Sequence, residues 1–371
     1  MTDAGTALRV LHTEASLGWG GQEIRILTEA RGVARRGHAV TLAAPAESRI
    51  YQEASRYGVN AIALPIGRKR LSGALALRSL INREQFDVLN THSSTDTWLA
   101  ALACRWMGDA PPIVRTRHIS APLPGNAATR WLYTRATDRI VTTGEKLREQ
   151  MLRETGVDAA RVVSIPTGIE LARFHPGDRA AARAATGLPP AVPLIGIVAT
   201  LRSWKGHRYL LQALAALERG DVHLAIVGDG PQRAALEALA RELGLAARVT
   251  FAGNQPDVAP WMQALDLFCL PSYANEGVPQ ALMQAMACGL AVVTTPVGSI
   301  EEIVADGDTG LMVPPESADR LREAIARLLD DAGLRARLGA RAAQVARERF
   351  GDERMVERMV AVFRAAVSAH G

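Results

Sequence analysis

The chain has 371 residues, 48% of them hydrophobic and 22% charged, which is the composition of a soluble globular protein long enough for two domains. No apolar run approaches the roughly 18 residues that a membrane-spanning helix requires, and the first 25 residues lack the basic and apolar stretches of a secretion signal. The net charge is +5, but no basic stripe interleaved with aromatic residues occurs, so we expect no nucleic-acid partner.

Short β-rich runs alternate with helical patterns in the first half of the chain, which predicts a parallel sheet covered on both faces. The predicted strands are Leu8–His12, Ala39–Ala44, Ala61–Leu64, Val88–Thr91, Ile113–Thr116, Arg139–Thr143 and Val162–Ile165. The helical stretches between them include Gln22–Arg36, Ala74–Arg83, Thr95–Trp106 and Lys146–Glu154.

The alternation stops in a stretch rich in proline and glycine, where we place a linker at residues 176–193. It then resumes with predicted strands at Leu194–Val198, His223–Val227, Arg248–Phe251, Leu267–Leu270, Ala291–Thr294 and Leu311–Val313. Apolar residues at helical spacing predict a last helix over Asp352–Ala369.

These elements predict an α/β fold of two doubly wound domains. The first domain occupies residues 1–175, the second occupies residues 194–351, and a helical segment follows at residues 352–371. Ligands of such sheets bind at the carboxyl ends of the strands, so the cleft between the domains is the expected site.

Two segments of the first half follow predicted strands and contain candidate site residues. Gly20 and Gly21 open the first long helix, where adjacent glycines either let a ligand approach the backbone closely or form a tight turn. His118 follows the strand Ile113–Thr116, and His92 follows Val88–Thr91. Because both histidines stand at strand ends, each is a candidate for a site as well as for a structural role.

The second half contains two comparable segments. Arg202 and Lys205 follow its first strand, and two cations before a helix suit a diphosphate, although a solvated basic turn has the same composition. Gly228 and Gly230 follow the next strand, where they either pack against a nucleotide or simply form a turn. Their spacing fits neither a Walker loop nor a dinucleotide fingerprint.

The most informative segment, Glu276–Gly289, combines an acid, a small turn and a helix that begins with proline. Pro279 suits the first helical position, and the final glycine suits the position just past the helix end. The backbone N–H groups near Gly277 and Val278 would point at an anion placed before the helix, and Gln284 lies about two turns along it. A phosphate-bearing ligand with hydroxyls at both ends fits this layout.

Other kinds of chemistry lack their motifs in the sequence. No serine-hydrolase elbow, zinc-protease signature or kinase set occurs, and neither a carboxylate pair nor a Cys/His cluster indicates a bound metal. Cys104, Cys269 and Cys288 are too far apart for a metal or redox motif, so we expect buried thiols in a reducing cytosol.

Together these segments resemble the retaining glycosyltransferases of family 4, also called the group 1 transferases, and the resemblance covers nearly the whole chain. It rests on the glycine-rich first turn and on Ile165–Pro176, Lys205–His207, Val227–Pro231, Val249–Gly253 and the segment around Glu276. It implies the GT-B fold, in which two Rossmann-like domains face a central cleft, the first on the acceptor side and the second on the donor side. It also implies that the last helix, at residues 352–371, crosses back to the first domain. It also implies a nucleotide-diphosphate sugar as donor, with no metal and no cofactor.

The resemblance assigns roles to particular residues. Glu276 matches the acid that hydrogen-bonds hydroxyls of the donor sugar, and Lys205 matches the lysine that binds the phosphates. The backbone of Gly277–Pro279 matches the part that meets the diphosphate. His118 matches the cleft histidine, and Gly20–Gly21 match the flexible glycine loop. Glu276, Lys205 and His118 are therefore the catalytic candidates.

The chain departs from the family pattern at three positions. Gln284 stands where the family commonly has a second glutamate, which usually holds the ribose. Thr200 stands where the family has an arginine, and Arg202 is the candidate to supply that charge. Thr167 stands where the usual pattern has an asparagine. We therefore expect the affinity for the donor, or the preference for its nucleotide, to differ from those of family members with both glutamates.

The resemblance predicts retaining, metal-independent transfer of a sugar from a nucleotide-diphosphate sugar to a saccharide or lipid-linked saccharide, such as lipopolysaccharide core or another envelope glycan. Three alternatives remain. The same fold serves nucleotide-sugar epimerases and storage-glycan or disaccharide synthases. A non-catalytic sugar-nucleotide-binding subunit is also conceivable, because Gln284 replaces a carboxylate.

A basic, apolar segment makes an anionic membrane surface a further candidate partner. Residues 1–180 carry 24 Lys and Arg against 17 Asp and Glu, whereas residues 181–371 have a net charge of −2. Within the first half, residues 67–83 join the basic run Arg68–Arg70 to a helical stretch with five Leu and Ile residues. Such a segment either lies on an anionic bilayer or is a solvated turn before a core helix. We expect a cytoplasmic protein that binds the inner face of the membrane.

Overall fold

The computed structural model describes residues 6–105, 107–119, 121–274 and 276–370. The chain divides into two compact units: unit 1 comprises the residues up to Gly168 and those from Asp352 onward, and unit 2 comprises Ile169–Gly351. The last segment of the chain therefore belongs to the same unit as the first. No helix in the described ranges is long and apolar enough to cross a membrane.

Unit 1 is built on a parallel sheet, with seven strands in its described residues. The strands are β1 (Arg9–Thr13), β2 (Ala39–Ala44), β3 (Asn60–Ala63), β4 (Val88–Thr91), β5 (Ile113–Arg117), β6 (Arg139–Thr142) and β7 (Val162–Ser164). They lie in the order β3-β2-β1-β4-β5-β6-β7. The helices that follow in the chain are α1 (Gly21–Arg35), α2 (Arg49–Glu53), α3 (Leu71–Glu84), α4 (Ser94–Cys104), α5 (Ala127–Thr134) and α6 (Glu145–Thr155).

Unit 2 repeats this plan, with six parallel strands in its described residues. The strands are β8 (Leu194–Val198), β9 (His223–Val227), β10 (Val249–Gly253), β11 (Leu267–Leu270), β12 (Ala291–Thr294) and β13 (Leu311–Met312), in the order β10-β9-β8-β11-β12-β13. The remaining helices are α7 (Arg179–Thr186), α8 (His207–Ala215), α9 (Arg233–Glu242), α10 (Ala259–Gln263), α11 (Gln280–Ala287), α12 (Ala318–Asp330), α13 (Ala332–Arg349) and, in unit 1, α14 (Asp352–His370).

Helices cover both faces of the unit 1 sheet. Successive residues of a strand face opposite sides of the sheet, so neighbouring strand residues pack against different helices. Val10 packs in a buried cluster with Met359 and Phe363 of α14. Its neighbour Leu11 packs in a separate cluster that includes Leu77 of α3. Strands β4 and β5 are buried along their whole length, as expected for central strands of a sheet that is covered twice.

The predicted fold class is confirmed: each unit is a doubly wound, Rossmann-like domain. All thirteen predicted strands are present, and their ends differ from the predicted ends by at most two residues. The predicted helix Thr95–Trp106 corresponds to α4, and Trp106 itself lies outside the described residues.

Residues 176–193, expected to form a linker, contain helix α7. Asp178 caps the start of this helix, and Gly187 ends it at a φ of +68°. Arg183 on the helix donates to Asp266 Oδ2 at 2.8 Å, which fixes α7 to the body of unit 2. The proline and glycine signals therefore mark the ends of a short helix, and the chain passes between the units earlier, after Gly168.

Candidate functional site

Lys205 and Glu276 form a charged pair in unit 2. Lys205 Nζ lies 2.6 Å from Glu276 Oε1, and the Ser272 hydroxyl donates to the same oxygen at 2.5 Å. The Glu276 side chain is only 4% exposed, whereas that of Lys205 is 20% exposed. A carboxylate buried to this degree requires a cation and further hydrogen bonds to offset its desolvation. Sequence reasoning missed Ser272, whose only signal was its place just after β11.

The pair forms because β8 and β11 are adjacent and parallel, so the loops that follow them lie together. Backbone contacts join the two loops: Tyr273 N donates to Trp204 O at 2.8 Å. Gly206, which precedes α8, has a φ of +77°, and a Cβ there would lie 1.9 Å from Pro271 O. The close approach of the loops therefore requires glycine at this position.

The segment after Glu276 leads into helix α11, with one difference from the expected geometry. Pro279 is the N-cap, with φ −69° and ψ 117°, and the helix begins at Gln280 rather than at the proline. Ser299 N donates to Gly277 O at 3.3 Å, which ties the turn to the loop after β12. Gln284 is half-buried on α11.

Among the other site candidates of unit 2, the fold itself requires the two glycines, whereas it does not explain the exposed arginine. Gly228 and Gly230 have φ angles of +136° and +159°, and a Cβ at either would come within 2.7 Å of a backbone oxygen. The fold alone therefore requires these two glycines. Arg202 is exposed, and its guanidinium lies 5.7 Å from the centre of the Trp204 ring, a cation–π contact.

In unit 1, the glycine loop before α1 is fastened by Glu14, which sequence reasoning missed. Its carboxylate accepts from Ser16 N at 2.7 Å and from Gln22 Nε2 at 2.5 Å. Burial and then the nearby charge of Asp96 raise the pKa of Glu14 to about 8. Gly20 has an extended backbone, and a Cβ there would meet no atom closer than 3.8 Å. In contrast to Gly228 and Gly230, the fold gives no steric reason for glycine at this position.

His118 and His92, both predicted as candidates, lie together and are joined by His12. His118 Nε2 is 3.0 Å from His92 Nδ1, and His92 Nε2 is 3.0 Å from His12 Nδ1. Burial, followed by the charges of Arg25 and Arg115, holds the pKa of His118 well below its usual range. Burial lowers the pKa of His12 to about 3. His12 escaped notice because its position in the sequence is that of an ordinary strand residue.

The segment 67–83 has both a buried and an exposed face in the structure. Leu77, Leu80 and Ile81 are buried in the core of unit 1. Leu71 and Leu75 are 64% and 55% exposed, next to the exposed run Arg68–Arg70. Only the first turns of α3 therefore present apolar side chains to solvent beside basic ones.

Two family models match the chain: residues 178–345 match the glycosyl transferases group 1, and residues 19–173 match glycosyltransferase family 4. D-inositol 3-phosphate glycosyltransferases of Mycobacterium tuberculosis and Mycobacterium bovis are 31% identical over 324 residues, which cover 81% of this chain. The match spans 66% of those relatives, just under two thirds of their length.

Solved structures share the fold across nearly the whole chain. A glycosyltransferase from Rickettsia africae has a TM-score of 0.88 at 19% identity, with 98% of this chain and 99% of that one covered. Anabaena HepE in complex with UDP-glucose has a TM-score of 0.84 at 21% identity, with 96% and 100% covered. WaaG, a glycosyltransferase involved in lipopolysaccharide biosynthesis, has a TM-score of 0.72 at 20% identity, with 94% and 99% covered.

Proposed function

The chain belongs to the group 1, family 4 glycosyltransferases, and we propose that it transfers a sugar from a nucleotide-diphosphate sugar to a saccharide acceptor, with retention of configuration and without a metal. The observation that carries the proposal is the charged pair Lys205–Glu276 at the carboxyl ends of two adjacent strands, directly before α11.

In this proposal, Glu276 orients the donor sugar and Lys205 offsets the charge of the diphosphate. Lys205 and Ser272 both bind Oε1 of Glu276, which fixes the orientation of the carboxylate. We assign Oε2 to a hydroxyl of the sugar. The start of α11 adds a positive dipole end beside the leaving diphosphate, and preorganised groups of this kind stabilise charge that develops in the transition state.

A carboxylate held by a cation and a hydroxyl is a weak nucleophile, so we assign retention to attack from the front face, with a donor phosphate oxygen accepting the acceptor proton. Glu276→Gln is expected to lower kcat strongly while nucleoside diphosphate still binds, because the amide cannot accept hydrogen bonds at both atoms. Glu242→Gln, the same change at an exposed glutamate of α9, serves as the matched control. Detection of a glycosyl group attached to Glu276 by mass spectrometry would contradict this assignment.

We assign the acceptor to a cavity of about 270 Å³ in unit 1. Trp98, which stacks on Trp131 with ring centroids 6.0 Å apart, provides an aromatic wall. The rest of the cavity is lined by polar side chains, among them Lys69 and Asn126, and by apolar ones, among them Leu123 and Leu132. Aromatic walls with a few polar groups are typical of small-molecule sites, and they suit a sugar ring with its hydroxyls.

A membrane-linked acceptor, as in envelope glycan synthesis, accords with the basic and apolar surface at the start of α3 and with a cytoplasmic location at the inner membrane face. Changing Arg68–Arg70 to serine is expected to weaken binding to anionic vesicles by about 3 kcal/mol, since each basic residue near the surface contributes about 1 kcal/mol. A variant with serine at Arg241, Arg320 and Arg337, exposed in unit 2, has the same net charge and serves as control. Equal sedimentation with neutral and anionic vesicles would contradict membrane binding.

The donor is tested by thermal-shift titration with UDP-, GDP- and ADP-sugars, followed by product analysis. The Anabaena relative was solved with UDP-glucose, which makes UDP-sugars the first choice. We expect product only when an acceptor is present. NMR of the product should show that the anomeric carbon in the new glycosidic bond has the same configuration as in the donor. Conversion of the sugar without an acceptor would instead indicate an epimerase, and stabilisation without any turnover would indicate a binding subunit.

A further inference from the structure

Three histidines form a continuous chain through the middle of the unit 1 sheet. His12 lies in β1, His92 follows β4 and His118 follows β5, and these three strands are neighbours in the sheet. Two ring-nitrogen contacts of 3.0 Å connect them, from His12 Nδ1 to His92 Nε2 and from His92 Nδ1 to His118 Nε2. The rings of His12 and His92 are stacked, with centroids 5.3 Å apart and planes 7° from parallel.

The surroundings keep all three rings neutral. His12 is fully buried and His92 is 2% exposed. Burial holds the pKa of His92 well below its usual range, and the neighbouring histidines and the cations of Arg25 and Arg115 lower it further. An additional proton on the chain would therefore be a buried charge beside two buried cations.

Neutral rings connected in this way cannot choose their protonated nitrogen independently. Each neutral imidazole has one N–H donor and one acceptor nitrogen. In a chain of two N–H···N bonds, every donor must therefore point in the same direction. Either all three rings are protonated on Nδ1, or all three are protonated on Nε2.

The buried end of the chain decides between these arrangements. His12 Nε2 has no hydrogen-bond partner among the described residues, and a buried N–H without an acceptor is especially rare in proteins. We propose that His12 and His92 are positioning residues that hold His118 in its Nδ1–H form, as a neutral hydrogen-bond donor rather than a proton acceptor. His12 donates to His92 and His92 donates to His118, which leaves the His118 Nδ1–H for a ligand.

The consequence for catalysis rests on the proposed function. A neutral Nδ1–H group at His118 can donate to an oxygen of a bound sugar, but it cannot remove a proton from the acceptor hydroxyl. The chain of histidines thus assigns His118 to binding and orienting the sugar, which is compatible with proton removal by the donor phosphate. It also explains the histidine within β1, an inner strand of a sheet whose strands otherwise favour apolar side chains.

Nitrogen-15 NMR of the histidine-labelled protein without substrate tests the proposal directly. Protonated and unprotonated ring nitrogens resonate in separate ranges, and single substitutions assign the signals. We expect protonated Nδ1 and unprotonated Nε2 in His12, His92 and His118. Protonation of His92 and His118 on Nε2 would overturn the proposal. The result does not depend on turnover, so it is distinguishable from failure of the proposed function.

Two substitutions at one position separate the hydrogen-bond direction from simple packing. His12→Phe keeps a ring against Phe363, whose centroid lies 6.2 Å from that of His12, but removes the donor to His92. We expect His92 and His118 to lose their uniform Nδ1–H form. His12→Asn provides an amide N–H near the position of Nδ1, and we expect it to restore that form. His223→Phe, in unit 2, is the control and should leave the signals unchanged. If His12→Phe also leaves the signals of His92 and His118 unchanged, the chain of histidines does not determine which nitrogen of His118 is protonated.

Discussion

The polar groups of the two units differ in where they lie in the fold and in whether all their atoms have hydrogen-bond partners. In unit 2, the Lys205–Glu276 pair lies at the ends of strands, and the contacted carboxylate oxygen has both a cation and a hydroxyl as partners. In unit 1, His12, Arg25 and Glu29 lie inside the fold, at most 1% exposed, and each has a side-chain nitrogen or oxygen without a hydrogen-bond partner in the described ranges. Within those ranges, His207 is the comparable residue of unit 2.

This difference indicates that the units contribute differently to function. A charged group at a strand end is suited to bind a charged ligand. A buried polar atom without a partner destabilises the fold by about 1–3 kcal/mol, and its protonation state is set by the protein. We therefore expect changes at these buried groups of unit 1 to alter stability and its pH dependence, and changes at the Lys205–Glu276 pair of unit 2 to alter activity.

The largest effect is expected for Glu29→Ala in unit 1. Asn90 donates to Glu29 Oε1 at 3.0 Å, and Arg25 Nε lies 3.7 Å from Oε2. Removal of the carboxylate leaves the buried guanidinium without its counter-charge, which should lower the free energy of unfolding by about 3–5 kcal/mol. Urea denaturation measures this, with Glu353→Ala, at an exposed ion pair, as control. Equal losses in both variants would remove the contrast between buried and exposed charge.

Lys205→Ala should produce the opposite pattern in unit 2. We expect the loss of about 2–4 kcal/mol of transition-state stabilisation, or roughly a 30- to 1000-fold lower kcat/KM. The loss of stability should be smaller than in Glu29→Ala, because the Lys205 side chain is 20% exposed and water can solvate the carboxylate that remains. Arg202→Ala should behave similarly if Arg202 supplies the positive charge of the family's arginine, whose position Thr200 occupies in this chain. Arg208→Ala, at an exposed arginine nearby, is the control. Activity near that of the wild type in the Lys205 variant would exclude this residue from the site.

Much of this contrast could not be predicted from sequence, although the fold could. Strands such as β4 and β8 are short apolar runs between turn signals, and parallel pairing then follows from the helices between them. Family resemblance assigned Lys205 and Glu276 to the donor site but did not predict their direct contact, since 71 residues separate them in the chain. Glu14 and His12 were missed because partners from other strands define their roles, and alternation along one strand does not identify such partners.

The pH dependence of stability offers a sharper test of unit 1. The pKa of Glu14 is raised from 4.5 to about 8 in the folded protein, so the folded state binds this proton more tightly than the unfolded state. Its contribution to stability is complete below about pH 4.5 and is lost as the pH rises to 8. Relative to the wild type, Glu14→Gln should gain on the order of 2 kcal/mol between pH 6 and pH 8. Glu47→Gln, at an exposed glutamate, should show no such gain.

The smallest effect is expected for Gln284 on α11. If its amide oxygen accepts a ribose hydroxyl, Gln284→Ala should weaken nucleotide binding by about 1 kcal/mol, the net contribution of a neutral hydrogen bond. Gln284→Glu should preserve or strengthen binding, because a carboxylate accepts from both hydroxyls. Calorimetric titration with the nucleotide and its 2′,3′-dideoxy analogue measures the difference. Equal affinity of the wild type for both ligands would show that Gln284 does not contact the ribose.

Unit 1 is formed by two separate segments of the chain and unit 2 by one, and this has a consequence for synthesis on the ribosome. Unit 2 is one continuous segment, Ile169–Gly351, whereas unit 1 needs α14 as well as the first 168 residues. Met355, Met359 and Phe363 of α14 fill a core cluster of unit 1 together with Val10 and other strand residues. During translation, unit 2 can therefore fold before unit 1 is complete. The segment synthesised first is the one that waits longest for its final packing partner, and its apolar sheet face needs protection from aggregation until then.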